Sequence, residues 1–184
     1  MNRILLLLAV LLVALPGLSQ KYWTKNGHIR FFSEAPLENI EADNHQVSSI
    51  LDLETDELVF SLLMTAFEFE KALMQEHFNE KYVESATYPK ATFEGTVDGL
   101  DALDPAEPGE HAVTVSGDLT IHGVTNPVET TGTFTVLDDG TIDGDAAFTI
   151  LLADYDIEVP AVVRDNIARE IEIFVDMNYE LYGN

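Results

Sequence analysis

The chain has 184 residues, no cysteine, and 33 acidic against 9 basic side chains, a formal charge of −24 at pH 7. A surface this acidic repels DNA and RNA backbones and anionic head groups, which argues against nucleic acid and stable membrane docking. The missing cysteine rules out disulfides, thiol catalysis and thiolate metal sites.

Asn2 and Arg3 precede an almost purely aliphatic run, Ile4–Leu15, which Pro16 and Gly17 break. Gly17 and Ser19 then stand at the small-residue positions of a cleavage site before Gln20. This layout predicts a cleaved signal peptide over 1–19 and a periplasmic or secreted domain over 20–184. The aliphatic run is too short for a membrane span, which needs about 30 Å at about 1.5 Å per residue.

Period-two alternation then dominates. Strands are predicted over His28–Ser33, Gln46–Leu53, Leu58–Phe69, Ala91–Val97, Ala112–His122, Val128–Leu137, Thr141–Ala153 and Glu170–Tyr182. Asp138-Asp139-Gly140 marks a tight hairpin. In the last strand Ile171, Ile173, Val175, Met177 and Tyr179 alternate with polar neighbours, the mark of an antiparallel sheet wet on one side. Glu70–Ser85 and Pro160–Arg169 instead carry apolar residues at helical spacing and predict two short helices that cap or flank the sheet. Eight strands with turns between them predict an all-β fold, a closed barrel or a sandwich, and long strands favour the barrel. Gly95, Gly117, Gly123 and Gly132 lie inside strand patterns, where bulges and sharp bends are expected.

Chemistry-bearing patterns are sparse. His77 and Glu80 have a His-x-x-Glu spacing, but Lys81 stands where an inverted zinc-protease motif needs a second histidine. His77 and His122 could meet as two metal ligands, yet no third ligand accompanies them, so no metal site is assigned. No serine has the nucleophile frame and no glycine loop cradles phosphate, so no catalytic residue is assigned either. What stands out is a load of large apolar side chains on both strand parities. Phe60, Leu62 and Met64 oppose Phe67 and Phe69, and Phe148, Ile150 and Leu152 oppose Leu151 and Tyr155. One parity would face the lumen and the other outward. A filled core and a ligand cavity are both open to such a barrel.

The blocks EHFNEKYVESATYPKATFEG (76–95), GDLTIHGVTNPV (117–128) and FTILLADYDIEVP (148–160) resemble the YceI family of exported polyisoprenoid-binding proteins. The similarity runs over about 27–182, and the LTIHGVT piece is its most specific part. It implies an extended lipocalin-like barrel of eight antiparallel strands. The interior would hold an apolar isoprenoid tail, with the polar head near the mouth and no enzymatic activity. The chain departs from the family's pattern at Lys25–Arg30, where an Asp and a His-Ser pair are usual, and at Asp154-Tyr155, where an Arg is usual. Those departures bear on the head group.

The family's layout and the parity together name Phe69, Leu73, Phe78, Phe93, Leu119, Ile121, Phe148, Ile150 and Leu152 for the wall. They name His77, Tyr82, Tyr88, His122 and Tyr155 for the polar end. Each has a plain structural alternative: Phe93, Leu119 and Ile121 as core, Tyr88 as the fixer of the turn at Pro89. The expected guest is an isoprenoid or quinone-like amphiphilic lipid, with no cofactor. Ten buried methylenes give about 8 kcal/mol gross, and micromolar binding needs about that much net. The alternatives are a small hydrolase or isomerase using His77 or His122, and a closed-core interaction protein. The residues leave homodimerisation open. A lumen of about 300 Å³ or more would separate carrier from filled core.

Overall fold

The structure, a computed structural model, describes residues 20–183. The signal expected over 1–19 lies outside the described residues. The strands are β1 (Lys21–Glu34), β2 (Asn39–Asp52), β3 (Glu57–Leu63), β4 (Glu68–Phe69), β5 (Lys90–Asp98), β6 (Gly109–Ile121), β7 (Val124–Val136), β8 (Ile142–Leu151) and β9 (Glu170–Leu181). Apart from the two-residue β4, which pairs with β2, each strand lies beside its sequence neighbours. Antiparallel pairing of β1 with both β2 and β9 closes the ring into an eight-stranded up-and-down barrel. Closure removes the unpaired edges that an open sheet must protect. Among the described residues no helix is long and apolar enough to cross a membrane.

The elements follow from local chemistry. β6 and β7 join through His122 and Gly123, with φ of 53° and 76°. Positive φ at both central residues is the two-residue turn whose twist matches paired strands. At the Asp138–Gly140 turn, the Asp139 carboxylate accepts the Thr141 N–H and hydroxyl. The expected strand Leu58–Phe69 is not continuous. It stops at Leu63, a 3₁₀ turn covers Met64–Ala66, and β4 resumes in a new direction. The first expected helix is α1 (Ala72–His77), which widens into a π turn over Phe78–Tyr82, closed by Val83 N–H donating to the Phe78 carbonyl at 3.0 Å. The second is a 3₁₀ turn, Ala161–Val163. Val163 of this turn and Ile167 beyond it reach the barrel end, while Ala161 and Val162 are exposed, so no helical stripe forms.

The barrel is filled at one end only. Around the β2–β3, β5–β6 and β7–β8 turns, Leu51, Val97, Val136, Ile142 and Tyr179 are almost fully buried. The Tyr179 and Ser49 hydroxyls bond at 2.9 Å, and Ser49 Oγ lies 2.8 Å from the Val59 carbonyl oxygen. Burial pushes the Tyr179 phenol up to about 12. At the other end, 64–89 with α1 and the 152–169 segment fold over the opening.

Candidate functional site: an apolar cavity in one half of the barrel

β1, β3, β6 and β8 end at the covered mouth, and β2, β5 and β9 begin there. Their inward side chains leave a cavity of about 400 Å³. Ile29, Phe60, Leu62, Ile150, Ile171 and Ile173 supply the barrel wall. Phe31, Phe67, Phe69 and Phe78 form an aromatic cluster on one side, with ring centroids 5.0 to 5.7 Å apart. Such offset and edge contacts hold rings stiffly and present a large apolar area with few rotors.

The break at Met64 explains why both parities of the expected long strand reach one cavity. Phe60, Leu62 and Met64 line it from β3 and its turn, and Phe67 and Phe69 line it from beyond the turn. The expectation that one set faces outward is corrected. The π turn does similar work: Met74, His77 and Phe78 form one helical stripe, and the wider turn adds Tyr82 and Val83 to the same wall. π turns often mark such re-aimed side chains.

A floor closes the cavity. Phe60 and Phe148 line both it and a smaller void of about 60 Å³ beneath. Phe60 stacks on Phe93 with centroids 5.1 Å apart.

Polar groups gather at the mouth. Ser33, Glu38, His77, Tyr82 and Asn166 touch the cavity. The Glu38 carboxylate accepts from Lys71 at 2.6 Å, and burial pushes the Tyr82 phenol up. Leu37 N–H donates to the Asp165 carbonyl, and Ala168 N–H to Ser33 Oγ, each at 2.9 Å. These bonds tie the β1–β2 turn to the 152–169 segment across the opening. Among the described residues no lysine or arginine lines the cavity.

Of the residues named from sequence, Phe69, Phe78, Leu119, Ile121, Phe148, Ile150 and Leu152 lie on the wall, and His77 and Tyr82 lie near the mouth. Five do not line it. Leu73 is 61 % exposed because it stands one position off the Met74–Phe78 stripe. Phe93 faces inward, but its ring lies down over Gly95 and Gly117, below the floor. Tyr88 packs edge-on to the His122 ring at 4.5 Å and covers Gly123, so it fixes a turn. Tyr155 is swung off the strand parity by the 3₁₀ turn Leu152–Tyr155 and is buried. Burial and the adjacent Asp154 charge raise its phenol.

His122 lies 3.0 Å from both the Tyr155 carbonyl and the Glu84 carboxylate. Through its two ring nitrogens it clamps three segments together. An acid is thus within reach of His122, yet both nitrogens are engaged and the ring does not line the cavity. Among the described residues neither His77 nor His122 belongs to a group of three potential metal ligands.

Several wall residues escaped the sequence reading. Ile29 and Phe31 were legible as the inward parity of β1. Ser33 shares that parity, whereas Glu38 and Asn166 lie between strands, where no periodicity marks a direction.

The chain matches the model of the YceI-like domain over residues 24–179. No curated protein matches it. Among solved structures it is similar to a polyisoprenoid binding domain from Saccharophagus degradans, with TM-score 0.76 and 18% identity over 89% of this chain and 99% of that one. It is also similar to BcnA of Burkholderia cenocepacia, with TM-score 0.63 and 15% identity over 84% and 96%. The YCEI protein of Campylobacter jejuni follows with TM-score 0.56 and 16% identity over 80% and 89%. At these identities the likeness is one of fold.

Proposed function

This chain belongs to the YceI-like domain family, and from that membership we propose that it binds lipid, holding the apolar tail of an isoprenoid or quinone-like amphiphile in the open half of its barrel without transforming it. The observation that carries this reading is the apolar cavity of about 400 Å³ beside an equally apolar end that is filled. Packed interiors seldom leave voids of that size, because each lost contact costs stability. The solved relative described as polyisoprenoid binding supports the guest class.

The mouth narrows the head group. Glu38, Ser33, His77, Tyr82 and Asn166 offer hydrogen bonds, but no cation faces the cavity among the described residues. A phosphate or pyrophosphate head would enter the field of a chain with net charge −24 uncompensated. An uncharged hydroxyl or quinone head suits these groups better. Export to the periplasm or the exterior belongs to the same proposal and rests on the pattern of residues 1–19.

The test is native mass spectrometry of gently purified protein, followed by titration of delipidated protein with prenols and prenyl quinones. Uptake of one lipid per chain is expected. In Ile173→Trp, whose indole would project into the cavity, uptake should weaken at least tenfold while the fold persists. A native chain that neither carries nor takes up any such lipid overturns the reading.

A further inference from the structure

On the outer wall of the barrel, away from the cavity, β1 and β2 bring two imidazoles and a carboxylate together. The pairing of these strands is irregular where it happens. Gly27 pairs with Val47 but Ile29 pairs with Asn44, so β2 carries an extra residue there. Asn44 and Val47 both point inward and are fully buried. His45 and Gln46 are consequently pushed outward together. A bulge of this kind re-aims side chains. It sets His45 beside His28, with ring centroids 4.3 Å apart and planes 14° from parallel. Asp43 completes the group, with one carboxylate oxygen 2.7 Å from His28 Nε2. One donor atom from each of the three lies within 4.8 Å of the other two.

We propose that His28, Asp43 and His45 form a binding site for a divalent transition-metal ion of the zinc class. The donor set is chemically selective: imidazole nitrogens favour zinc, copper, nickel and iron over calcium and magnesium, which prefer all-oxygen cages. The scale also fits. Donors at about 2.0–2.1 Å around a tetrahedral ion stand about 3.3 Å apart. The His28–Asp43 pair, 2.7 Å apart, must open by about 0.6 Å to reach that spacing, and the exposed His45 ring must turn from its stacked pose, which the solvent side permits. Three protein ligands leave a fourth position for water or an outside ligand.

The surroundings favour a cation. Asp176 is the register partner of His28 on β9, and Asp145 is the partner of Asp176 on β8. His28, Asp176 and Asp145 border one shallow groove across these strands. Arg30 borders the same groove, where its charge is engaged by Glu41 at 3.5 Å and by the Phe174 ring, 4.2 Å from its guanidinium carbon. A bound ion would tie β1 to β2 where their hydrogen-bond ladder is interrupted.

Isothermal titration of metal-free protein with Zn²⁺, in millimolar Ca²⁺ and Mg²⁺ to occupy plain carboxylates, tests the site. One equivalent binding at micromolar or tighter concentration is expected. His28→Ala and His45→Ala should each weaken it at least tenfold, while Asp101→Asn, a loop carboxylate elsewhere, leaves it unchanged. Zn²⁺ should also raise the melting temperature of the native chain and not of the double histidine variant, whose metal-free melt reports its own folding. No binding by the native chain, or equal binding by the double variant, overturns the proposal. Neither outcome bears on lipid uptake, which is measured on the other side of the wall.

Discussion

Gly95 and Gly117 face each other across β5 and β6, and the Phe93 ring lies over both. A Cβ on Gly117 would stand 2.5 Å from the Gly95 Cα and 2.7 Å from Phe93 Cζ. Backbone cannot retreat as a flexible side-chain tip can. The pairing there is in regular register, so these glycines mark no bulge; they make room for a ring. That ring is what Phe60 stacks on, and the floor of the cavity rests on the stack. Gly117→Ala should therefore destabilise the fold by about 1–3 kcal/mol, the usual cost of overpacking a tight site. Urea unfolding should show this as a lower midpoint at unchanged slope. An unchanged midpoint would mean that the ring is free to move. Phe93 was legible as an inward aromatic residue from the alternation of β5. Which way its ring leans was not, because that depends on a glycine of another strand.

Hairpins and turns carry a second set of constraints. β1 begins and β2 ends at the filled end of the barrel, where Lys21 Nζ meets the buried Asp52 carboxylate at 2.8 Å. The hydrogen bond from Lys21 lowers the Asp52 pKa most, and the Glu54 N–H adds to it against the effect of burial. The same bond raises the Lys21 pKa. A carboxyl depressed in the folded state binds its proton more readily when unfolded, so its contribution is present above the unfolded pKa of about 3.9 and is lost as pH falls through the folded value. Asp52→Asn should lower the melting temperature at pH 7, and the gap from the native chain should shrink as the pH falls below about 4. A gap that stays constant down to pH 2 would place the effect in packing and not in the charge. Elements with internal signals were readable: the Asp-Asp-Gly hairpin, the alternating β9, the stripe of α1. The break at Met64 and the π turn at Phe78 have no such signal, since the aromatic cluster that rewards them is assembled from Phe31 of β1, Phe67, Phe69 of β4 and Phe78 of the π turn.

The whole molecule is a barrel with one packed end and one hollow end. Apart from β4, which folds back on β2, its strands pair only with their neighbours along the chain until β9 meets β1, so closure needs a single long-range match. The hollow end is covered by 64–89 and 152–169, which contain the short helical pieces and few strand hydrogen bonds. Openings with little internal packing sample local unfolding most readily. Loading with a prenol should slow amide hydrogen exchange in those two segments and at the adjoining strand ends. Amides around Leu51, Val97 and Ile142 should be unaffected. Uniform slowing across the barrel would point to global stabilisation and away from a guest seated in one half.

The sequence by itself determined most of the strands, the antiparallel barrel and the abundance of apolar wall, because side-chain alternation and turn chemistry are local properties. It also placed Phe78, Leu119, Phe148 and Ile150 inward, where strand parity or a helical stripe governs. Only the tertiary structure decided that the apolar wall encloses space at one end, that His122 is a clamp outside the cavity, and that His28, Asp43 and His45 share a patch on the outer wall. Each of these depends on distances between segments far apart in the chain or across a bulged register, which no periodicity encodes.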